Sequence, residues 1–113
     1  MHEMSLAQNV REIIEQAAID QGFTRVRTVW LEIGRLSCVE PEAMRFCFAS
    51  AMQGSVVEGA KLEIVDTPGW GRCAHCGHEA EIAQVYDACA RCGSFGLQVM
   101  AGYAMRVKEL EVE

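Results

Sequence analysis

Four cysteines in two closely spaced pairs carry the strongest chemical signal in the sequence. Cys73 and Cys76 open the unit CAHCG, and Cys89 and Cys92 open the near-copy CARCG after twelve intervening residues. Two residues between thiolates let one tight turn direct both sulfurs to a single ion, and the glycine after each pair provides the backbone freedom that the turn needs. Two such turns facing each other predict a closed tetrahedral four-thiolate site, for which Zn(II) is the default metal and iron the alternative.

A closed site of this kind has no open coordination position for a substrate, so the predicted zinc is structural rather than catalytic. His75 and His78 lie beside the sulfurs and are expected to be solvated or to support the ligands, with pH-dependent exchange against a thiolate as the minority alternative. The two remaining cysteines are separate: Cys47 is predicted to be a small core residue, and Cys38 a partly exposed residue of a turn.

The amino terminus offers a second set of metal ligands. His2 stands next to the α-amine of Met1, and an amine, an imidazole and the amide nitrogens between them form a nitrogen-rich, roughly planar set. Such a set favours Ni(II) or Cu(II) over Zn(II). Glu3 adds a carboxylate at the same place. The residues alone give only a weak signal here, because a histidine at the second position is usually incidental.

Composition excludes several classes of protein. The chain has 113 residues, 50% hydrophobic and 23% charged, which fits one folded unit or one domain with a small appendage. Ten Lys and Arg against 16 Asp and Glu give a net charge of −6, which weighs against a nucleic-acid binder. No 18-residue apolar window predicts a membrane span, and the first residues do not resemble a signal peptide. Six cysteines in such a chain predict a reducing, cytoplasmic location and metal binding rather than disulfides.

The elements that must position these ligands alternate between helix and strand. A capping box of Ser5 and Gln8 predicts a first helix from Ser5 to about Gln21. Residues 25–34 predict a strand, Glu40-Pro41-Glu42 predicts the start of a second helix, and residues 61–65 predict another strand. The apolar faces are expected to be formed by Leu6, Val10, Ile13, Ile14 and Ala17 in the first helix, Val29, Leu31 and Ile33 in the strand, and Met44, Cys47, Phe48 and Ala51 in the second helix.

The composition changes at residues 66–69, after which the four cysteines and several glycines replace large aliphatic residues. From Met105 the sequence returns to strand-like alternation, but its apolar parity shifts between Val107 and Leu110, which predicts a bulge or a two-sided strand. The predicted fold is α+β: a small mixed α/β domain of two helices on a three-stranded sheet, residues 1–69 and 102–113, with an inserted zinc-ribbon-like module of four cysteines, residues 70–101.

The chain resembles the HypA/HybF family, the nickel metallochaperones of NiFe-hydrogenase maturation, over its whole length and in the family's motif order. The segments that carry the resemblance are MHEMSL at 1–6, WLEIG at 30–34, CVEPE at 38–42, FCF at 46–48, EGAKL at 58–62, the two cysteine units, and VKELEV at 107–112. The resemblance implies a discontinuous α/β nickel domain with a zinc module inserted before the last strand.

The resemblance also implies a ligand set and partners. It makes His2 the principal ligand of a transiently bound Ni(II), completed by the Met1 amine and the backbone nitrogens of His2 and Glu3. Some family members have a carboxylate near the second helix that approaches the nickel, and the matching residue is Glu40, one methylene longer than Asp. The structural Zn(II) falls on the four paired cysteines. The implied partners are the GTPase HypB and the hydrogenase large-subunit precursor, with a homodimer left open.

The predicted activity is therefore nickel delivery without catalysis. The alternative is a zinc-ribbon module for protein interaction or nucleic-acid association without a nickel function, and an iron-containing electron carrier is a further rival. An enzyme is disfavoured, because no nucleophile–base pair, phosphate-binding glycine loop or open metal triad is present in the sequence.

Overall fold

A computed structural model describes residues 2–113 of the chain, in which two helices and six strands form two small sheets. In chain order the elements are α1 His2–Gln21, β1 Val26–Gly34, α2 Pro41–Ala51, β2 Lys61–Thr67, β3 Gly69–Cys73, β4 Glu79–Ile82, β5 Leu97–Ala101 and β6 Met105–Val112. The first sheet has the order β2-β1-β6 and the second, inserted between β2 and β6, has the order β4-β3-β5. The predicted fold class is confirmed.

The central strand β1 organises the larger sheet. It pairs in parallel with β2 and antiparallel with β6. Val29, Leu31 and Ile33 are buried on one face, as the two-residue period predicts. Their partners in the neighbouring strands share that face, namely Leu62 and Ile64 in β2 and Met105, Val107 and Leu110 in β6. This apolar face packs into the same core cluster as the buried residues of α1 and α2.

The shift of apolar parity in β6 is a β-bulge. Trp30 pairs with Glu109 and Leu31 pairs with Val107, so Lys108 is an extra residue on the β6 side. A bulge adds one residue to the alternation, which returns both Val107 and Leu110 to the face that packs on the core. Of the two alternatives predicted from the sequence, the bulge is the correct one.

The first helix differs from its prediction in two respects. It begins at His2 rather than at Ser5, so Ser5 is an exposed residue inside the helix and does not cap it. The additional turn places Met4 against the core, and Glu3 lies in the first turn, where the helix dipole favours an acid. The predicted burial of Ile13 is also wrong, since its side chain is 57% exposed. The buried line of α1 is Ala7, Val10, Ile14 and Ala18.

The second helix begins as predicted. Glu40 is its N-cap and accepts a hydrogen bond from the Ala43 amide at 2.7 Å, with Pro41 in the first helical position. At the other end of α2, the Arg11 guanidinium donates to the carbonyls of Ala51 and Gln53 at 3.0 and 3.1 Å. At the amino-terminal ends, the Glu40 amide donates to the Glu3 carboxylate at 3.3 Å, so α1 and α2 lie side by side and run in the same direction.

Candidate metal centres

The two cysteine units fold into near-identical turns. The glycine after each pair has a left-handed backbone, with φ of +78° at Gly77 and +74° at Gly93. Each turn is closed by the same two backbone hydrogen bonds, one donated by the first cysteine and one by the glycine. They are Cys73 N–H to His78 O at 2.8 Å, Gly77 N–H to Cys73 O at 2.9 Å, Cys89 N–H to Ser94 O at 2.8 Å, and Gly93 N–H to Cys89 O at 2.8 Å.

The turns bring all four predicted cysteine ligands together. Their Sγ atoms lie within 4.8 Å of one another, with Cys73 3.6 Å from Cys92 and Cys76 3.7 Å from Cys89. A regular tetrahedron with metal–sulfur bonds of about 2.3 Å has sulfur–sulfur edges of about 3.8 Å. The two measured contacts therefore fit the spacing that a single tetrahedral Zn(II) requires, and such an ion would tie the two turns together.

The thiols of the cluster have unequal proton affinities before a metal binds. The Ser94 side chain and amide hydrogen-bond to the Cys92 sulfur and lower its pKa to about 6. At Cys76 the His78 amide lowers the thiol pKa, but desolvation and the neighbouring sulfurs outweigh it and raise that pKa to about 11. A metal ion replaces thiol protons with its own charge, and the hydrogen bonds from the turns stabilise the resulting thiolates.

The side chains of the other described histidines and cysteines are not part of this four-sulfur group. His75 is exposed and His78 half-buried beside the turns. Cys47 is buried in the core, as predicted, and Cys38 is exposed. Within residues 2–113, no second group of three or more His, Cys, Asp and Glu side chains is close enough to share one ion. A nickel site at the amino terminus would therefore need backbone nitrogens as well as side chains.

The predicted nickel ligands lie at the adjoining ends of the two helices. His2 is the exposed first residue of α1, while the predicted ligand Met1 lies outside the described residues. The Glu3 carboxylate accepts a hydrogen bond from the Glu40 amide at 3.3 Å. The structure thus brings Glu3 and Glu40 together through the Glu40 backbone, whereas the Glu40 carboxylate is engaged in capping α2.

Amide nitrogens at this end of α1 are not used by the helix. The first four N–H groups of any α-helix have no acceptor within that helix, and His2 and Glu3 occupy the first two described positions of α1. Their nitrogens can therefore be taken up by a metal without breaking the hydrogen-bond ladder. An exposed imidazole next to unused amides is a chemically reasonable chelating set for a square-planar ion.

The comparison with known proteins gives the family. A family model described as "Hydrogenase/urease nickel incorporation, metallochaperone, hypA" matches residues 1–112. The chain belongs to the HypA family. It is 52% identical to a hydrogenase maturation factor HypA of Azotobacter vinelandii and 54% identical to one of Albidiferax ferrireducens, each over 113 residues and the whole of both chains.

A solved HypA structure has the same fold. The solution structure of the Ni metallochaperone HypA from Helicobacter pylori matches with a TM-score of 0.73 and 26% identity, covering 97% of this chain and 96% of that one. The resemblance predicted from the sequence is confirmed, as is the prediction of a metallochaperone rather than an enzyme, since HypA proteins bear that description. Among residues 2–113, no helix is both long and apolar enough to cross a membrane.

Sequence reasoning named His78 as a residue that could support the ligands but missed Ser94, its counterpart in the second cysteine turn. His78 and Ser94 occupy the same position after the glycine of each unit, and each accepts a hydrogen bond from the first cysteine of its pair. Extending the five-residue repeat by one residue would have revealed this shared position. The dissimilarity of histidine and serine conceals it, because the contact is made by the backbone carbonyl and not by the side chain.

Proposed function

We propose that this HypA protein carries Ni(II) at its amino terminus and delivers it to the large-subunit precursor of a NiFe-hydrogenase. The observation that carries the proposal is the position of His2, exposed at the amino-terminal end of α1. The proposed ligands are the His2 imidazole, the Met1 amine and the backbone nitrogens of His2 and Glu3, with Glu40 beside them. A site at an exposed end allows the recipient's ligands to reach the metal and replace those of the carrier.

The proposed ligand set couples nickel to protons. Each amide nitrogen must lose its proton to bind the metal, and the imidazole and amine must be unprotonated. Nickel binding therefore releases protons, and transfer of nickel to a recipient returns them to the amides of His2 and Glu3. The affinity of the carrier should therefore fall as the pH falls, and release requires no redox or covalent step.

We propose further that the four-cysteine cluster holds a structural Zn(II), bound by Cys73, Cys76, Cys89 and Cys92. The spacing of the sulfurs supports this assignment, and a bound ion would supply the cross-link that a segment with so few buried apolar residues needs. The proposed division of labour places nickel on residues 1–69 and 102–113 and zinc on residues 70–101. The proposed setting is the reducing cytoplasm, where these thiols stay reduced.

The proposed immediate partner is the GTPase HypB, and the proposed final recipient is the hydrogenase precursor. The names of the relatives support hydrogenase as the target, although the family description covers both hydrogenase and urease. A pull-down of nickel-loaded protein with each purified candidate, followed by metal analysis of the recipient, tests delivery. Nickel that stays on the carrier in the presence of the precursor would contradict the proposed transfer.

The nickel site itself is tested by calorimetric and visible-absorption titration of Ni(II) into zinc-loaded protein with a native, untagged terminus. His2→Ala should abolish the site, because it removes the imidazole. One additional residue before Met1 should be about as damaging, because it removes the α-amine from the chelate. Neither change should alter the zinc content.

The matched control is His75→Ala, which removes an equally exposed imidazole from the cysteine module. Its nickel titration should match that of the unaltered protein. Equal nickel binding by the His2→Ala protein would remove the amino-terminal site from consideration. The zinc-ribbon interaction module would then become the leading interpretation.

A further inference from the structure

Residues 34–40, here called the connecting loop, join β1 to α2 and contact both metal-binding regions. Next to β1, the connecting loop contacts the two chain segments that link the sheets. The Arg35 amide donates to Thr67 O, just before β3, at 2.8 Å. The Leu36 amide donates to Gly102 O, just after β5, at 2.8 Å. Both connections to the cysteine module are thus hydrogen-bonded to this one loop.

At this end of the loop the backbones are so close that Gly34 and Gly102 have no room for a side chain. A Cβ atom on Gly34 would lie 2.2 Å from Gly102 O, and one on Gly102 would lie 2.4 Å from Pro68 O. Leu36 covers the next position, since a Cβ on Gly69 would lie 2.7 Å from its side chain. Backbones in such contact cannot shift independently without a clash.

The Arg35 side chain adds an electrostatic contact to the same joint. Its guanidinium lies 3.3 Å from the Asp66 carboxylate at the end of β2 and 4.0 Å from Glu81 in β4 of the module. The side chain is about half exposed, so each pair contributes little to stability. The two ion pairs nevertheless link the sheets, because Asp66 belongs to the larger sheet and Glu81 to the second sheet.

At its other end the connecting loop reaches the amino terminus of α1. The Ser37 hydroxyl donates to Gly34 O at 2.6 Å and accepts from the Val39 amide at 3.3 Å, which holds the loop in a tight turn. Cys38 adopts a left-handed backbone with φ of +63°, which is uncommon for a residue other than glycine. Immediately afterwards the Glu40 amide donates to Glu3.

We propose that the connecting loop is a rigid strut through which the position of the cysteine module sets the contact between Glu40 and Glu3, and so the geometry of the amino-terminal end of α1. The part of the inference that concerns nickel affinity rests on the proposed nickel site. By this route a partner that displaces the module would alter the ligand end of α1, and the effect would be reciprocal.

The test displaces the joint and observes the far end of the loop. Gly102→Ala introduces a Cβ against Pro68 O at a residue with φ of +82°. Gly59→Ala is the matched control, because Gly59 has a similar φ of +78° but nothing within 4 Å of an added Cβ. The measurement is hydrogen exchange and the NMR shift of the Glu40 amide in zinc-loaded, nickel-free protein. Gly102→Ala should accelerate Glu40 exchange about fivefold or more, and Gly59→Ala should leave it unchanged.

A double-mutant cycle tests whether the loop carries the effect. One glycine inserted after Cys38 interrupts the strut while leaving both of its ends in place, and one glycine inserted after Gly59 is its control. In the interrupted protein, Gly102→Ala should produce no further change at Glu40. An undiminished effect in that background would overturn the strut, as would an unaltered Glu40 amide in the Gly102→Ala protein. If that protein does not fold, Leu36→Ala replaces it in the same cycle.

The nickel titration separates this inference from the function on which it partly rests. If the unaltered protein binds nickel, Gly102→Ala should change its nickel affinity about fivefold or more, and Gly59→Ala should not. If the unaltered protein binds no nickel at its terminus, the proposed function fails. The Glu40 measurements, which contain no nickel, still decide the strut.

Discussion

The cysteines of this chain differ in role because of their neighbours and not because of their exposure. Cys76 and Cys92 are exposed, as Cys38 is, yet each of the first two has the sulfur of another cysteine within 3.7 Å. A thiol in such a group releases its proton to solvent and binds a shared metal as the thiolate more readily than an isolated thiol does. Substitution of single cysteines should therefore distinguish metal ligands from cysteines outside the cluster.

Cys92→Ser should lower the bound zinc from one equivalent to a small fraction, because a hydroxyl is a poor replacement for a thiolate with a pKa of about 6. Cys38→Ser should retain one full equivalent, since Cys38 lies outside the cluster. Metal analysis after dialysis and a competition with a chromogenic chelator give the two values. A normal zinc content in the Cys92→Ser protein would exclude Cys92 as a ligand.

At this scale the sequence predicted the four cysteines that meet through their sulfurs, but it did not predict Ser94, which supports the second cysteine turn. The spacing of the four cysteines was sufficient because two thiolates separated by two residues have few alternative arrangements. Ser94 was missed because the position that it shares with His78 is defined by a backbone carbonyl, although the Ser94 side chain and amide also hydrogen-bond to the Cys92 sulfur. Ile13 was misplaced because a helical period gives the direction of a face but not the width of the contact, and the buried line of α1 is narrow.

Among the elements, the two helices share the apolar core and are also joined by Arg11 of α1, whose guanidinium reaches the carboxyl-terminal end of α2. The last carbonyls of a helix have no acceptor role within it, and Arg11 donates to two carbonyls at this end, Ala51 O and Gln53 O. Arg11→Gln should lower the free energy of unfolding by about 1–2 kcal/mol, since a charged, partly buried hydrogen bond to Ala51 O and an exposed one to Gln53 O are lost. Urea denaturation measures this change in the free energy of unfolding. Arg27→Gln, which removes the exposed pair with Glu113, should cost less than about 0.5 kcal/mol, and equal losses would contradict the assignment.

On the outer face of the larger sheet, Glu32 of the central strand β1 forms hydrogen bonds with both neighbouring strands. Its carboxylate accepts hydrogen bonds from Arg106 in β6 and Thr67 in β2, and these lower its pKa below the usual value. A carboxyl group with a lowered folded pKa stabilises the fold above its unfolded pKa, and that stabilisation is lost as the pH falls through the folded value. Urea midpoints between pH 6.5 and 3 should therefore fall less steeply for Glu32→Gln than for the unaltered protein. Glu12→Gln, on the exposed side of α1, should keep the original slope. Parallel slopes for all three proteins would contradict the prediction.

The elements themselves were largely predictable because each follows a local period. The two-residue alternation in β1 and the Glu-Pro-Glu start of α2 are local signals, and both elements formed at the expected residues. The start of α1 was missed by three residues because no capping residue marks it and because Met4 is held by the distant core. Which strands become neighbours, with β1 between β2 and β6, is set by tertiary packing and has no counterpart in a local pattern.

For the whole molecule, the composition change near residue 66 predicted an inserted cysteine-rich module, and the structure has a second sheet in this segment. Nothing in the composition predicted how the two sheets are joined. The joint consists of backbone contacts at Gly34 and Gly102, and glycines leave no side-chain pattern from which a contact can be inferred. A continuous hydrophobic core would have left such a pattern. The sequence has no such pattern because the two sheets are connected by backbone hydrogen bonds and by close backbone contacts.

The two sheets should also differ in what stabilises them. Among residues 2–113, thirteen buried apolar residues form the core shared by the larger sheet and the two helices. Between residues 70 and 101 the buried hydrophobic side chains are Cys73, Ile82 and Cys89. A segment with so little buried apolar surface depends on its metal, because binding free energy then becomes folding free energy. Chelation of zinc from the loaded protein should raise amide exchange across β3, β4 and β5 by at least about a hundredfold, while the β1 and β2 amides stay protected. Hydrogen exchange with mass spectrometry measures both sheets in one sample, and readdition of Zn(II) should restore the protection. Loss of protection in both sheets together would show that the chain unfolds as one cooperative unit, and the proposed division at residues 70–101 would be wrong.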